Sequence, residues 1–152
     1  MHDPNPQISN GSFYASGFLY NLKSQRILLL QSSKLEGVTS LWSMLGGESN
    51  DGEEAPTTFQ RIINEALDLS LKHKNIYPIY DYFHSTLNKI NYVFYAEVKR
   101  PPKNNTFKED ILSWVTFSDA LKLLFSAHTK QDLVVGERVI NLKWRIDQNL
   151  QY

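Results

Sequence analysis

The segment GGESNDGEEAPTTFQRIINEALDLSL, Gly46 to Leu71, decides how this chain is read. Paired glycines open it and an acidic turn follows. Phe59, Ile62, Ile63, Ala66 and Leu69 then recur at helical spacing, which turns one face of a helix from Phe59 to Leu69 inward. Pro56 suits a first helical turn, where its missing N–H has no partner to lose. Glu53 and Glu54 sit where the helix dipole favours negative charge. Glu65 stands nearly alone as an acid on that helix, beside Ile62, Ala66 and Asp68. Two readings compete here: the remnant of a carboxylate metal site, or an amphipathic helix after a tight turn.

On the N-terminal side, Phe13 to Leu22 is an aromatic and aliphatic strand in which Gly17 marks a bulge or a close backbone approach. NLKSQ (21–25) is a turn, and Arg26 to Gln31 is a short buried strand. SSKLEGVTS (32–40) is a surface loop, and LWSML (41–45) brings an apolar group up to the glycines. On the C-terminal side, NIYPIYDYFHS (75–85) and KINYVFYAEVK (89–99) are β-branched or aromatic and flank a turn, which makes them neighbouring strands. RPPKNNTFKED (100–110) is a polar loop, since consecutive prolines forbid regular pairing. Ile111 to Thr116 returns as a strand, and Ser118 caps a helix through Phe125. A second helix runs from about Asp132 to Leu150, with Val135, Val139, Leu142 and Ile146 on one stripe. This order predicts a mixed sheet covered by helices on both faces.

A length of 152 residues suits one domain, residues 13–152, behind a loose tail at 1–12 rich in Pro, Asn and Ser. Sixteen basic and sixteen acidic residues cancel, so neither a broad nucleic-acid footprint nor a polybasic membrane patch follows from the balance, while a local basic loop stays open. The absence of cysteine excludes disulfides, thiolate metal sites and cysteine nucleophiles. The N-terminal MHDPNPQISNGS has no apolar core of the kind a secretion signal needs, and the longest aliphatic run, Ile27 to Leu30, is far short of a membrane span. A soluble cytoplasmic protein is the expectation.

In this setting the opening segment resembles the box of the Nudix hydrolases, G-x5-E-x7-R-E-U-x-E-E-x-G-U, where U is aliphatic. Gly47 opens it, Glu53 and Arg61 follow at the required spacing, Ile63 takes the first U, and Glu65 and Leu69 fall on the later glutamate and final aliphatic. Trp42 and Gly46–Gly47 match the usual W-x-x-P-G-G approach, with Leu45 in place of proline. EDILSWVTFSDAL (109–121) is similar to the acidic loop, tryptophan strand and helix start late in that fold. The resemblance implies an α/β fold, a Nudix-type α/β/α sandwich with a mixed β-sheet. Three positions depart from the box: Ile62 and Ala66 replace glutamates, and Asp68 replaces glycine. Positions 62, 65 and 66 share nearly one helical face, so that face offers one carboxylate instead of three.

By resemblance, the chain is a hydrolase of a nucleoside diphosphate linked to another group, such as a nucleotide sugar, using weakly bound Mg2+ or Mn2+. Glu65, Glu109 and Arg61 would be catalytic, with Glu109 the first choice of general base. Glu65, Glu53, the Gly47 carbonyl and Asp110 would hold the metal, and Tyr82 and His84 would bind substrate. Each position has a plainer alternative. Glu65 is an ordinary solvated glutamate, Arg61 braces the turn through Glu53, and Glu109 and Asp110 belong to an exposed loop. Tyr82 and His84 are core residues of an aromatic strand. The competing function is a Nudix fold that has lost catalysis and binds a nucleotide, RNA or protein partner. The joint presence of Glu53, Arg61 and Glu65 tips the reading toward the hydrolase. Nucleic acid is a disfavoured partner, no membrane partner is expected, and a homodimer is compatible with the sequence.

Overall fold

Strand β1 (Tyr14–Asn21) lies inside a sheet that is covered on both faces, and its side chains alternate accordingly. Ala15 and Leu19 pack into one buried cluster and Phe18 into another. The computed structural model describes residues 12–31, 41–99 and 111–149. Residues 1–11, 32–40, 100–110 (with Glu109 and Asp110) and 150–152, read from sequence as a tail, two loops and the end of the last helix, lie outside the described residues.

β1 runs parallel to β6 (Lys89–Val98), in register from Tyr14↔Asn91 to Asn21↔Val98. Its other edge is shared by two antiparallel strands, β2 (Arg26–Gln31) at its C-terminal end and β4 (Leu45–Glu48) at its N-terminal end. β3 (Trp42–Ser43) and β7 (Ile111–Val115) both pair with β2, while β5 (Ile76–His84) lies outside β6. One parallel ladder among antiparallel ones makes the sheet mixed. Gly17 sits where β4 ends its pairing with β1, and the close approach read from the sequence is there. Its φ is +156°, and a Cβ would stand 1.9 Å from the Phe94 carbonyl oxygen, so no residue with a side chain fits.

The segment around the double glycine, read as an apolar approach to a turn, pairs instead as β3 and β4. Glycines mask the strand signal, yet they permit the pairing: a Cβ at Gly46 would already lie 3.0 Å from Ser16 Cβ and the Tyr14 ring. Pro78 is tolerated because β5 is the outer strand on its side and its register shifts between Pro78 and Tyr80.

Helix α1 (Ala55–Leu67) buries Phe59, Ile63 and Leu67 against Ala15, Leu19, Leu28 and Phe94 on one face of the sheet. It begins with Pro56 in its first turn, as the sequence indicates, and stops two residues sooner than Leu69. Asp68 takes a left-handed conformation (φ 53°, ψ 48°), which ends the helix where the box motif carries glycine. On the opposite face, α2 (Phe117–Ala120) and α3 (Ala127–Asn149) pack against Phe18, Ile27, Leu29 and Tyr95. The arrangement is the expected α/β/α sandwich. No helix among the described residues is long and apolar enough to cross a membrane.

Three details of this second layer correct the sequence reading. Thr116, not Ser118, caps α2 by accepting the Asp119 N–H at 3.1 Å, and the helix is a single turn. α3 starts at Ala127, because Ser126 Oγ accepts the Thr129 N–H at 3.3 Å. The stripe Val135, Val139, Leu142 and Ile146 is not the inward one; Asp132, Leu133, Gly136 and Ile140 are buried instead. Gly136 is the reason: a Cβ there would lie 3.0 Å from the Phe18 ring, so its face is where the helix comes closest to the sheet.

Left-handed backbone strains an aspartate more than a glycine, although glycine also loosens the unfolded chain. Asp68→Gly is therefore expected to stabilise the fold by about 0.5–1 kcal/mol, read as a higher urea midpoint at unchanged slope. An unchanged midpoint would mean that the αL cap carries no strain.

Candidate functional site

The turn between β4 and α1 is held by one guanidinium. Arg61 Nε donates to Glu53 Oε2 at 2.8 Å, and its Nη2 donates to Glu53 Oε1 at 3.0 Å and to the Glu48 carbonyl at 2.9 Å. Glu53 Oε1 also accepts the Asn50 N–H at 2.8 Å and the Thr58 hydroxyl at 2.9 Å. These donors, Arg61 first and the Asn50 amide next, hold the Glu53 carboxyl at a pKa of about 2. Arg61 is pushed up in turn, first by its hydrogen bonds to Glu53. Both Glu53 oxygens thus take part in the brace, and Arg61 points at the turn.

Of the box positions that would carry carboxylates, only Glu65 sits on the outer side of α1. The Glu65 side chain is 69% exposed, and its nearest cation is Arg61 Nη1 at 3.8 Å. Ile62 packs over Gly47, where a Cβ would stand 3.0 Å from Ile62 Cδ1. Ala66 packs against the α1-side core. A hard divalent cation needs several oxygen donors or substrate phosphates around it. Among the described residues no three His, Cys, Asp or Glu side chains converge on such a position. Among the described residues the donor set does not fit a resident divalent ion.

The opposite face of the sheet carries a connected polar site. Asp132, on the first turns of α3, is 2% exposed. The Tyr80 hydroxyl donates to its Oδ1 at 2.7 Å and the Tyr82 hydroxyl to its Oδ2 at 3.2 Å. Asn91 Nδ2 donates to the Tyr82 oxygen at 3.3 Å, and the Ser16 hydroxyl donates to Asn91 Oδ1 at 2.9 Å. The chain of bonds therefore crosses β1, β6, β5 and α3. His128, one helical turn before Asp132, stacks on Tyr82 (5.7 Å, 8°) and lies 3.9 Å from the His84 ring.

Burial pushes the Asp132 carboxyl up to about 6, against the lowering pull of the two tyrosine hydroxyls. Burial likewise pushes Tyr82 up to about 12 and raises Tyr80. His84 is pushed down by burial and then by the charge of His128. A cavity of about 190 Å³ opens onto this network, walled by Ser16, Met44, His84, Asn91, His128 and Asp132 among others.

Of the residues singled out from sequence, the structure brings Glu53, Arg61 and Glu65 together as a brace and its exposed neighbour. It places His84 in the cavity wall and Tyr82 within the network behind it. Gly47 lies under Ile62, and Glu109 and Asp110 are outside the described residues. Ser16, Asn91, His128 and Asp132 escaped the sequence reading. One signal was available: His128 and Asp132 are four apart, which puts two titratable groups on one helical face.

The brace makes an acid-limb prediction. The folded pKa of Glu53 lies below its unfolded value, so the stabilisation is complete above about pH 4.5 and is lost as pH falls toward about 2. Asp132, raised in the fold, works in the other direction: its contribution fades as pH rises from about 3.8 to about 6. Glu53→Gln removes only the first effect. Urea unfolding of this variant is expected to show about 2 kcal/mol less stability than wild type at pH 7, a gap that closes toward pH 2. A pH-independent gap would show that the charge of Glu53 does not stabilise the turn.

In sequence, the NUDIX domain profile matches residues 14–134. Curated proteins provide no match. Solved structures with a similar fold include an Ap4A hydrolase from C. elegans in a binary complex, 17% identical with a TM-score of 0.65 over 84% of this chain and 98% of that one. The E. coli dihydroneopterin triphosphate pyrophosphohydrolase is 19% identical with a TM-score of 0.61, over 85% and 95%. A mutT/nudix family protein from Listeria innocua is 17% identical with a TM-score of 0.65, over 89% and 96%. At these identities the likeness is one of fold.

Proposed function

Because the chain belongs to the Nudix hydrolase family, we propose that it binds a nucleoside diphosphate derivative at the Asp132 cavity and has lost metal-dependent turnover at its box. One contrast carries this reading: the polar network on the α3 side is complete, while the box face presents Ile62 and Ala66 in place of carboxylates. The sequence argument for a hydrolase rested on Glu53, Arg61 and Glu65 occurring together. Glu53 and Arg61 satisfy each other and hold a turn, so their presence has a structural cause. Among the described residues that leaves Glu65, an exposed glutamate, to support catalysis.

The cavity suits one ring of such a ligand. Sites for drug-sized ligands measure about 300–1,000 Å³. At about 190 Å³ this one takes a single ring system and leaves the remainder outside. Imidazoles at His84 and His128 offer flat faces for stacking. Asn91, Ser16 and Asp132 offer directed donors and acceptors, and the Asp132 acid can accept from a ring N–H when ionised. Family members generally use a divalent metal, with carboxylates as its hard oxygen ligands. Without the two missing glutamates, any metal here would depend on the phosphates of the ligand.

The test is a panel of nucleoside diphosphates, nucleotide sugars and dinucleotides, measured for binding by calorimetry and for phosphate release, each with and without Mg2+ or Mn2+. The expected result is metal-independent binding with no turnover, weakened about tenfold or more in His128→Ala through loss of stacking. Metal-dependent turnover that disappears in Glu65→Gln would restore the hydrolase reading with Glu65 as ligand. Absence of binding across the panel would remove the cavity assignment. Ile62→Glu with Ala66→Glu is expected to create Mg2+ affinity that calorimetry does not detect in the wild type.

A further inference from the structure

Helix α3 carries two apolar stripes; the sheet buries one, and of the other only Val139 packs against the core. Leu133, Gly136 and Ile140 face the sheet. Val135, Val139, Leu142 and Ile146 form the other, spaced by four, three and four residues, the spacing of a helix seam that packs along a second helix. Leu142 is 59% and Ile146 50% exposed, while Val135 and Val139 are half-buried. Two exposed aliphatic side chains one turn apart, in line with two half-buried valines, mark an interaction face more often than scattered single ones do.

The charges beside the seam state what it fits. Arg138 and Arg145, seven residues apart, border it on the side away from the sheet, and both are exposed. Among the described residues neither forms an ion pair. Lys143 borders the sheet side but is held by Glu97 at 3.5 Å and Asp147 at 3.0 Å. Glu137 lies across the helix from the seam, by the 3.6-residue period. A second copy of this chain is a poor occupant. Parallel packing of two such helices sets Arg138 against Lys143 of the other copy, and antiparallel packing sets arginine against arginine.

Size argues for a passing contact. From Val135 to Ile146 the seam is about 17 Å long at 1.5 Å per residue, roughly three turns. A helix of that length covers less than the roughly 1,200 Å² typical of stable complexes. We propose that the Val135–Ile146 seam docks an amphipathic helix of a transient protein partner, apolar along its own seam and carrying carboxylates seven residues apart against Arg138 and Arg145. This is the helix-on-helix form of peptide recognition, and it lies apart from the Asp132 cavity reading.

The test uses the full chain and two fluorescently labelled synthetic helices with leucines at a and d, one with glutamate and one with lysine at e and g. Fluorescence anisotropy is expected to show saturable binding of the glutamate helix alone. Arg138→Glu with Arg145→Glu should weaken that helix about tenfold or more and let the lysine helix bind. Leu142→Asp, at an exposed position and checked for an unchanged thermal midpoint, should abolish both. Equal binding of the two helices, or none of either, overturns the proposal. So does a wild-type dimer in sedimentation that Leu142→Asp dissociates, which would assign the seam to a second copy.

Discussion

A charge-assisted, two-point bond between Arg61 and Glu53 organises the part of this fold where the sequence is least regular. The turn from Glu48 to Glu54 has no ladder of its own. It is held because one guanidinium grips both oxygens of Glu53 and the Glu48 carbonyl, while the Asn50 amide and the Thr58 hydroxyl complete the acceptors of Glu53. The two side chains are largely withdrawn from solvent, at 27% and 14% exposure, so neither is well served by water if the other is removed. Fixing this turn fixes the angle between β4 and α1. β4 in turn holds the end of β1, where the Ser49 N–H donates to the Phe13 carbonyl at 2.9 Å. The same end of β1 carries Ser16 into the Asp132 network.

The two faces of the sheet differ in chemistry. A cluster of carboxylates on one helical face repels itself unless a cation is present, and it stabilises the fold only when the cation is bound. Ile62 and Ala66 relieve that repulsion. Ile62 packs over Gly47, and Ala66 is a strong helix former that also joins the core. The gain is a quieter helix, at the cost of two carboxylates on that face. On the other face the protein retains a buried acid with every oxygen partnered, and no buried side-chain polar atom among the described residues lacks a hydrogen bond. Buried polar groups of that kind contribute little net stability and are expensive to leave half-satisfied, which is why the network is complete.

The local features of this chain were legible from residue spacing. Phe59 and Ile63 announced α1, the aromatic runs announced β5 and β6, and Gly17 announced a close approach that the Phe94 carbonyl supplies. The bracing role of Arg61 was one of two open readings, and its spacing from Glu53 is what lets a helix residue reach back to the preceding turn. The strands formed by Trp42–Ser43 and Leu45–Glu48 were not legible. Their short length and double glycine erase the alternation by which strands are recognised, and only the partner strands supply the pairing.

Backbone geometry sets the period of a helix or strand, so the sequence by itself determined which residues share a face, where the aromatic strands fall and which box carboxylates are missing. It did not determine which face meets what. α3 has two apolar stripes of similar strength, and the choice between them was made by Gly136, whose missing side chain admits Phe18. The cavity depends on Ser16, Asn91 and Asp132, far apart in sequence and joined through the pairing of β1 with β6 and the docking of α3. Contacts across such distances depend on register and close packing between elements, and those are properties of the assembled sheet and helices, with no trace in the periodicity of any one of them.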